Sequence, residues 1–411
     1  MYGFEKKIYQ AIGKKIRSAN PLSPGDVSSS PSVSNFAHSN VVSVREAQFS
    51  DFDKVCALNL RLGQGPDSLE NWDRLWVQNP AIQEGSSAAR IGWVLEATGG
   101  EIVGFLGSVP LTYELNGRTL RTAATCRFAV ETAYRAFSHL LVVSFFRQKD
   151  IDFFLNTTAT PAAAQIVKAL RALPVPQADY GRVLFWILNR REFSAAVLRK
   201  MGVWSPVVAS VSLLCGLGLR ANDLVRQSRW QDLPTGFSIT ESVVDDLGTE
   251  FESLLSEKRK EKPLLWAKRT PETMKWHFNP PRNRRVTKVL NCRADNTLVG
   301  YMIVRVDPEG VKGLRRALVA DLQVKKDDPT VLGYLLRAAL SSAKEAGCDV
   351  FEIIGFPESI RRGLAQWRPY SRDYPECPFY YKAQGAELQK ALAKEEVWYA
   401  SPFDGDGTLW P

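Results

Sequence analysis

The chain has 411 residues, of which 45% are hydrophobic and 24% charged, and its formal net charge is +9. This composition is that of a globular protein and excludes a mainly disordered, collagen-like or fibrous chain, and the length predicts two or three domains. The best candidate for a membrane-spanning helix, residues 207–219, is too short to cross a bilayer.

The first 18 residues hold nearly half of the excess positive charge. Within them Phe4, Ile8, Ile12 and Ile16 recur every four residues, with lysines between them. This spacing predicts a short basic amphipathic helix at 1–18, which can attach to an anionic membrane surface or to a protein surface. Serines and prolines fill residues 19–40 and predict a flexible linker.

The start of the chain lacks the continuous apolar stretch and the cleavage site of a secretory signal. We therefore expect a cytoplasmic protein, peripheral to the inner face of the cell membrane if the amphipathic helix binds lipid. Six cysteines are scattered without a C-x-x-C pair, and the chain has only three histidines. Neither a disulfide framework nor a metal site is predicted.

Short motifs recur in the two halves of the chain. Residues 76–80 and 276–280 share the pattern W-x-x-N-P at an offset of 200. Further matches keep the same order at offsets of 195 to 197: residues 44–51 with 239–246, 102–105 with 298–301, 152–154 with 349–351, and Pro161 with Pro357. The chain is therefore predicted to contain two copies of one domain, at 41–219 and 237–411, joined by a linker at 220–236.

Periodicity and turn residues predict the elements of the first copy in chain order. They are a strand at 41–47, helices at 51–61 and 68–76, a hairpin of 92–98 and 101–115, a long strand at 118–130, a helix at 134–147, a strand at 151–157, a helix from Pro161 and a strand at 182–188. The second copy repeats this order. Its clearest elements are the hairpin of 288–294 and 297–306, a long strand at 317–324, a helix at 330–346 and a strand at 350–356.

This order resembles the GNAT (GCN5-related N-acetyltransferase) superfamily, duplicated in one chain. The resemblance is carried by V-R-E-A-x-x-x-D at 44–51, by I-V-G-F at 102–105, and by a strand that ends at Val130 and is followed by E-T-A-Y-R at 131–135. It implies an α/β fold of the α+β type, in which each copy has a mixed, mostly antiparallel sheet flanked by helices.

In GNAT enzymes, the resemblance implies, the strand that ends near Val130 parts from its neighbour and binds pantetheine, and the loop that follows binds the pyrophosphate of acetyl-CoA or another acyl-CoA. A helix N-terminus suits such an anion because its amides are unsatisfied and its dipole is positive. Carried onto this sequence, the cofactor-binding residues are Val130, Arg135, Ala136, Ser138, His139 and Asn156.

Both copies depart from the family's loop. The first has Ser138 and Leu140 where the family has small residues, and a side chain there obstructs the approach of a phosphate. The second has Asp327, Asp328 and a proline in place of an arginine and free amides. The tyrosine that often serves the family as general acid would fall near Ala163.

An amine that attacks a thioester must lose a proton, so a carboxylate or a histidine is expected near the site. Candidates are Glu96 and Glu114 on the first hairpin, His139 after the turn, and Asp321 on the second long strand, facing the equivalent cleft. For each, the simpler interpretation is a solvated surface group. Cys126 is expected to be an inert buried thiol.

Three functions follow as hypotheses. The first is an N-acyltransferase that uses acyl-CoA and a small-molecule or peptide amine, such as a cell-envelope sugar, peptide or lipid-linked precursor. The second is a non-catalytic binding or scaffold protein with degenerate GNAT domains. The third resembles the FemABX peptidyltransferases, which take an aminoacyl group from transfer RNA. No DNA partner is expected.

Two further expectations concern the aromatic residues and the end of the chain. Trp72, Trp76, Trp266 and Trp276 are spaced as helix core residues, although they could line an acceptor groove. N-myristoyltransferases also join two such domains and use their own terminal carboxylate as base. Their longer motifs are absent here, and Pro411 would be the counterpart.

Overall fold

The computed structural model describes residues 41–410, apart from residue 66 and residues 86–89, 227–233, 282–285, 308–312 and 375–377. The helix predicted at 1–18 and the linker predicted at 19–40 lie outside the described residues. Pro411 lies outside them as well.

Helices flank the sheets of both halves of the chain. In the first half they are α1 (Phe52–Arg61), α2 (Leu69–Trp76), α3 (Pro80–Gln83), α4 (Ser138–Phe146), α5 (Pro161–Ala169), α6 (Arg190–Lys200) and α7 (Ser205–Arg226). In the second half they are α8 (Thr249–Glu261), α9 (Pro271–Phe278), α10 (Pro329–Glu345), α11 (Glu358–Ala365) and α12 (Ala386–Leu392).

The strands alternate with these helices. In the first half they are β1 (Val42–Glu46), β2 (Gly92–Ala97), β3 (Ile102–Leu115), β4 (Arg118–Val130), β5 (Phe153–Asn156), β6 (Leu173–Pro174) and β7 (Arg182–Ile187). In the second half they are β8 (Phe237–Ser242), β9 (Trp266–Ala267), β10 (Val286–Ala294), β11 (Thr297–Val306), β12 (Arg316–Val324), β13 (Val350–Ile353), β14 (Tyr370–Asp373) and β15 (Tyr380–Ala383).

Two mixed sheets result. The first has the order β1-β2-β3-β4-β5-β15-β6, with β9 added beside the far end of β3, and the second has the order β14-β7-β13-β12-β11-β10-β8. All neighbours are antiparallel except β4–β5 and β12–β13, which are parallel. The predicted fold class, two mostly antiparallel mixed sheets flanked by helices, is confirmed.

The two halves exchange strands. β7 lies in the second sheet between β13 and β14, with Ile187 opposite Val350, and β15 lies in the first sheet beside β5, with Tyr380 opposite Asn156. The predicted segments 41–219 and 237–411 therefore do not map one to one onto the sheets. Helix α7 also continues to Arg226, inside the segment predicted as a linker.

Local sequence rules explain where the elements of the first half begin and turn. The Ser68 hydroxyl oxygen accepts a hydrogen bond from the amide of Asn71 at 3.1 Å, which caps α2 as predicted. Pro161 occupies the first turn of α5, where its missing N–H costs nothing. Asn116 and Gly117 adopt φ values of 52° and 76°, which form the tight turn between β3 and β4.

The core between the halves is built from both sheets. Tyr113 and Phe153 of the first sheet share one buried cluster with Tyr301 and Ile303 of the second. The tryptophans predicted as core are indeed buried, namely Trp72, Trp76, Trp266 and Trp276. None of the helices in the described ranges is both long and apolar enough to cross a membrane.

Candidate functional site

Strands β4 and β5 part before β4 ends. Their parallel pairing covers residues 122–124 of β4, whereas β4 stays paired with β3 as far as Val130. Arg127 has a left-handed φ of 49°, and the β3–β4 register shifts at this point. Such a bulge bends a strand away from its neighbour. We call the gap between residues 125–130 and the end of β5 the first opening.

A short turn leads from the first opening into α4. It is the 3₁₀ helix Thr132–Phe137. Arg135 and Ala136 of this turn and His139 of α4 are exposed, whereas Val130 at the end of β4 and Ser138 at the start of α4 are half-buried. The structure therefore places these predicted cofactor residues on one continuous segment at the rim of the first opening.

Positive charge at this rim is available to a ligand. Glu131, the nearest carboxylate in the sequence, pairs with Arg61 at 2.6 Å. Arg135 has no ion-pair partner among the described residues. An exposed guanidinium with no internal partner can form charge-assisted hydrogen bonds to a phosphate.

Two further predicted residues flank the first opening. The His139 ring contacts the carbonyl oxygen of Ala136 through Nδ1 at 2.9 Å, a hydrogen bond that requires a proton on Nδ1. Asn156 ends β5 and is buried, and its Oδ1 has no hydrogen-bond partner among the described residues. A buried acceptor of this kind is costly unless a ligand or water satisfies it.

Glu114 lies far from the first opening. It is opposite Thr119 at one end of the β3–β4 ladder, whereas Gly104 pairs with Val130 at the other end. Ten residues of strand separate the two ends, which is ~30 Å at the usual rise. Glu114 instead pairs with Arg259 at 3.4 Å. The structure does not bring it together with the predicted cofactor residues.

Asp321 does not face an open cleft. It is fully buried on β12, and the guanidinium of Arg269 donates to both of its oxygens at 2.9 and 3.1 Å. The hydroxyl of Tyr301 donates to it at 2.7 Å. A carboxylate held in this way is part of the core and is not accessible to an amine.

The second sheet has an equivalent opening, but side chains fill it. β12 pairs with β13 only over residues 316–318 and continues to Val324. The Tyr399 hydroxyl donates to the carbonyl oxygen of Leu322 at 2.6 Å, and its ring stacks on Trp266 with centroids 5.2 Å apart. Val324 is fully buried, unlike Val130 at the same ladder position.

Carboxylates occupy the turn that follows β12. Asp327 accepts hydrogen bonds from the ammonium of Lys258 and, at 2.6 Å, from the hydroxyl of Ser359. Asp328 caps α10 by accepting from the amide of Thr330 at 2.7 Å. The positive end of this helix is therefore neutralised by the chain's own acids.

A carboxylate that was not predicted from the sequence lies beside the residues that follow β5. Asp406 accepts hydrogen bonds from the hydroxyls of Thr157 at 2.9 Å and Thr158 at 3.0 Å. It is 3% exposed, whereas Thr158 is exposed, so the carboxylate lies just below the surface. Burial raises the pKa of Asp406 above its ordinary value, although its hydrogen bonds from Thr157, Thr158 and Trp410 oppose the shift.

The backbone around Asp406 explains its position. Gly405 has a φ of 68°, and a Cβ there would lie 2.4 Å from the Thr157 hydroxyl oxygen, so only glycine fits. The residues D-G-D-G at 404–407 are of the types that are common in turns. An acid flanked by glycines was the one indication available before the structure.

Buried arginines hold the residues that follow Asp406. The Arg74 guanidinium donates to the carbonyl oxygen of Leu409 at 2.6 Å, and that of Arg305 donates to Trp410 at 2.9 Å. On the exposed side, the Arg127 guanidinium lies 4.1 Å from the centroid of the Trp410 ring. Residues 401–410, the C-terminal segment, are thereby fixed between the two halves.

One buried histidine belongs to the same network. Nε2 of His277 contacts the hydroxyl of Thr408 at 2.7 Å. Burial, together with the positive charges of Arg74, Arg305 and Arg269, lowers the pKa of His277 well below its ordinary value. The imidazole is therefore neutral at pH 7. Cys126 is also buried, and its burial raises the thiol pKa, which agrees with an inert cysteine.

No protein-family model matches the sequence, and no curated protein does either. Solved structures do match the fold. Two mixed sheets, each with a parallel pair of strands that part, are the fold of GNAT N-acetyltransferases, present here in tandem.

Two solved structures illustrate the match. The GCN5-related N-acetyltransferase from Kribbella flavida is 13% identical with a TM-score of 0.50, and the match covers 85% of this chain and 72% of that chain. The Saccharomyces cerevisiae N-myristoyltransferase with bound myristoyl-CoA is 13% identical with a TM-score of 0.51, covering 95% of this chain and 87% of that chain. At these identities the likeness shows the fold alone.

Proposed function

We propose that this chain is an N-acyltransferase that binds acyl-CoA at the first opening and transfers the acyl group to an amine. The observation that carries the proposal is the difference between the two openings: at the end of β4, Arg127, Phe128 and Val130 remain partly exposed, and the exposed Arg135 that follows has no ion-pair partner among the described residues. The fold supports the general class, since a matching structure contains myristoyl-CoA.

The residues at the first opening fit acyl-CoA in charge and hydrogen bonding. The open edge of β4 offers backbone groups to an extended pantetheine arm. Arg135 and the first turn of α4, with Ser138 and His139, would hold the phosphates. The buried Oδ1 of Asn156 needs a donor, and a pantetheine amide has one. When bound, acyl-CoA supplies an acyl group activated as a thioester.

Asp406 is the group best placed to accept the proton of the amine. The Asp406 carboxylate contacts Thr158, an exposed residue that follows the end of β5. Burial also raises the pKa of Asp406 above its ordinary value. A base with a raised pKa takes up a proton more readily near neutral pH. Thr157 and Thr158 orient the carboxylate towards the end of β5.

The acceptor is proposed by class only. A small-molecule or peptide amine, such as a cell-envelope sugar, peptide or lipid-linked precursor, would approach beside Thr158 on the cytoplasmic side of the membrane. The charge of the chain supports an anionic partner or surface.

Calorimetric titration of the full chain with acetyl-CoA and with myristoyl-CoA tests the proposal. We expect one binding site per chain for at least one of the two, and release of free CoA when an amine is added. No binding of either at millimolar ligand would contradict the proposal and would favour the non-catalytic scaffold or the transfer-RNA-dependent alternative.

A further inference from the structure

Helices α6 and α7 follow β7 of the second sheet and pack against each other as a hairpin. They run antiparallel, because a Cβ on Gly216 of α7 would lie 3.7 Å from the amide nitrogen of Arg191 at the start of α6. The inner side of α7 is covered, since Val208 and Ser212 are buried. These two residues are four apart and therefore lie on the same face.

The outer side of α7 is apolar and exposed. Leu213, Leu214 and Leu217 are 56%, 68% and 56% exposed, and their spacing places them together on one face. At the other end of the helix, Trp204 is 74% exposed. Apart from Met201, which is exposed three residues before Trp204, the other exposed large hydrophobic residues in the described ranges lie at least eight residues apart in the sequence. This concentration is unusual for the surface of a soluble domain.

Cations frame this apolar face. Residues 190–226 contain six arginines and lysines against two acids, a net charge of +4. Arg199 and Lys200 are exposed beside Trp204, and Arg220 is exposed one turn after Leu217. Exposed leucines and a tryptophan between cations are typical of a helix that lies in the headgroup region of an anionic bilayer.

We propose that the α6–α7 hairpin docks on an anionic lipid surface, with Leu213, Leu214 and Leu217 in the acyl–headgroup boundary. The charges favour lipid over a second copy of the chain as the binding partner. Pairing the leucine faces of two copies would bring the positively charged ends of two α7 helices together, whereas anionic headgroups complement both ends of one helix. The helix lies on the bilayer and does not cross it. The residues of this surface are neither those proposed to bind acyl-CoA nor residues 1–18.

An environment-sensitive fluorophore on Cys215 tests the proposal. This thiol is exposed between Leu214 and Leu217, whereas Cys126, Cys292 and Cys348 are buried and Cys56 is partly buried. The full chain with Cys56→Ser and Cys377→Ser would be labelled and mixed with vesicles of phosphatidylcholine and phosphatidylglycerol. We expect a blue shift that is absent with phosphatidylcholine alone and weakened by salt. The probe reports on α7 itself, even if residues 1–18 also bind lipid.

Two comparisons make the result decisive. A probe on Leu60→Cys, in a chain with Cys56→Ser, Cys215→Ser and Cys377→Ser, lies on an exposed position of α1 and should show no shift. The triple variant Leu213→Glu, Leu214→Glu and Leu217→Glu should weaken vesicle binding by about tenfold or more, with an unchanged far-ultraviolet spectrum.

The opposite results overturn the proposal. An unshifted Cys215 probe in the presence of anionic vesicles would show that α7 does not enter the lipid, whether or not the chain binds them by another segment. A shift that grows with protein concentration in the absence of vesicles would assign the leucine face to self-association instead.

Discussion

In both copies of the fold the two parallel strands separate before the longer one ends, but different side chains occupy the two openings. At the first opening Val130 is half-buried and Arg135 is exposed and unpaired within the described chain. At the second opening Tyr399 covers the equivalent strand edge and Asp327 is paired with Lys258. Strand order alone therefore does not make a binding site, because local side chains decide whether the gap accepts a ligand.

One stretch of chain serves both openings. Tyr399 closes the second opening, and a few residues later Asp406 lies below the end of β5 at the first. The same C-terminal segment thus completes the core of one copy and supplies a carboxylate to the other.

The largest expected effect concerns the carboxylate of the second copy. Asp321→Asn leaves the buried guanidinium of Arg269 without its counter-ion and should lower the free energy of unfolding by ~3–5 kcal/mol. Glu114→Gln is the matched control, since that half-exposed pair with Arg259 is worth at most ~1 kcal/mol. Denaturant titration measures both. Equal losses of unfolding free energy in the two variants would contradict a structural role for Asp321.

For the first copy, Asp406→Asn should lower the transfer rate by ~10²-fold or more, while acyl-CoA affinity stays unchanged. The wild-type rate should fall with decreasing pH as Asp406 is protonated. Because burial raises the pKa of Asp406, this fall should begin at a higher pH than an ordinary aspartate would give.

Thr158→Val tests whether Asp406 sets the pH dependence of the transfer rate. The Thr158 hydroxyl stabilises the ionised carboxylate, so its removal should move the acid limb of the rate profile to higher pH. The pH profile of the two proteins, measured side by side, checks this. An unshifted limb would mean that another group accepts the proton.

A smaller effect is expected at the turns. Arg135→Glu should weaken acyl-CoA binding by ~2 kcal/mol, through lost charge-assisted hydrogen bonds and added repulsion. Asp327→Ala in the second copy should leave the affinity as it is. Calorimetry on the two variants would contradict the assignment if their affinities changed alike.

The smallest effect concerns the residue that fills the second opening. Tyr399→Phe removes one hydrogen bond, from its hydroxyl to the Leu322 carbonyl, and should cost ~1 kcal/mol of stability. The phenylalanine ring still fills the gap, so no additional acyl-CoA site should appear. A second binding event in the titration would show that the hydroxyl alone kept the opening closed.

Much of the fold followed from the sequence. Periodicity predicted the strands β1 to β5 and β7 and most of the helices between them, and Asn116 and Gly117 predicted the turn between β3 and β4. The repeated W-x-x-N-P motif supported the predicted duplication. Helices α6 and α7 were not predicted. The exchange of β7 and β15 could not be predicted. An apolar run such as residues 182–187 fits the interior of either sheet, and periodicity carries no information on which sheet it joins.

The site was harder to predict. The rim of the first opening is local in sequence, so Val130, Arg135 and Ser138 could be grouped before the structure was known. Asp406 approaches Thr157 from 249 residues away along the chain, and no local pattern indicates such a contact. Asp321 has the residue type of a base, and only its contact with Arg269 shows that it is structural.

Hydrogen exchange of the full chain, with and without acyl-CoA, tests the central claim most directly. If the first opening alone binds the cofactor, amides of residues 125–140 should exchange more slowly when acyl-CoA is added, while those of residues 319–333 stay unchanged. Slowed exchange at residues 319–333, or at neither segment under saturating ligand, would contradict the account.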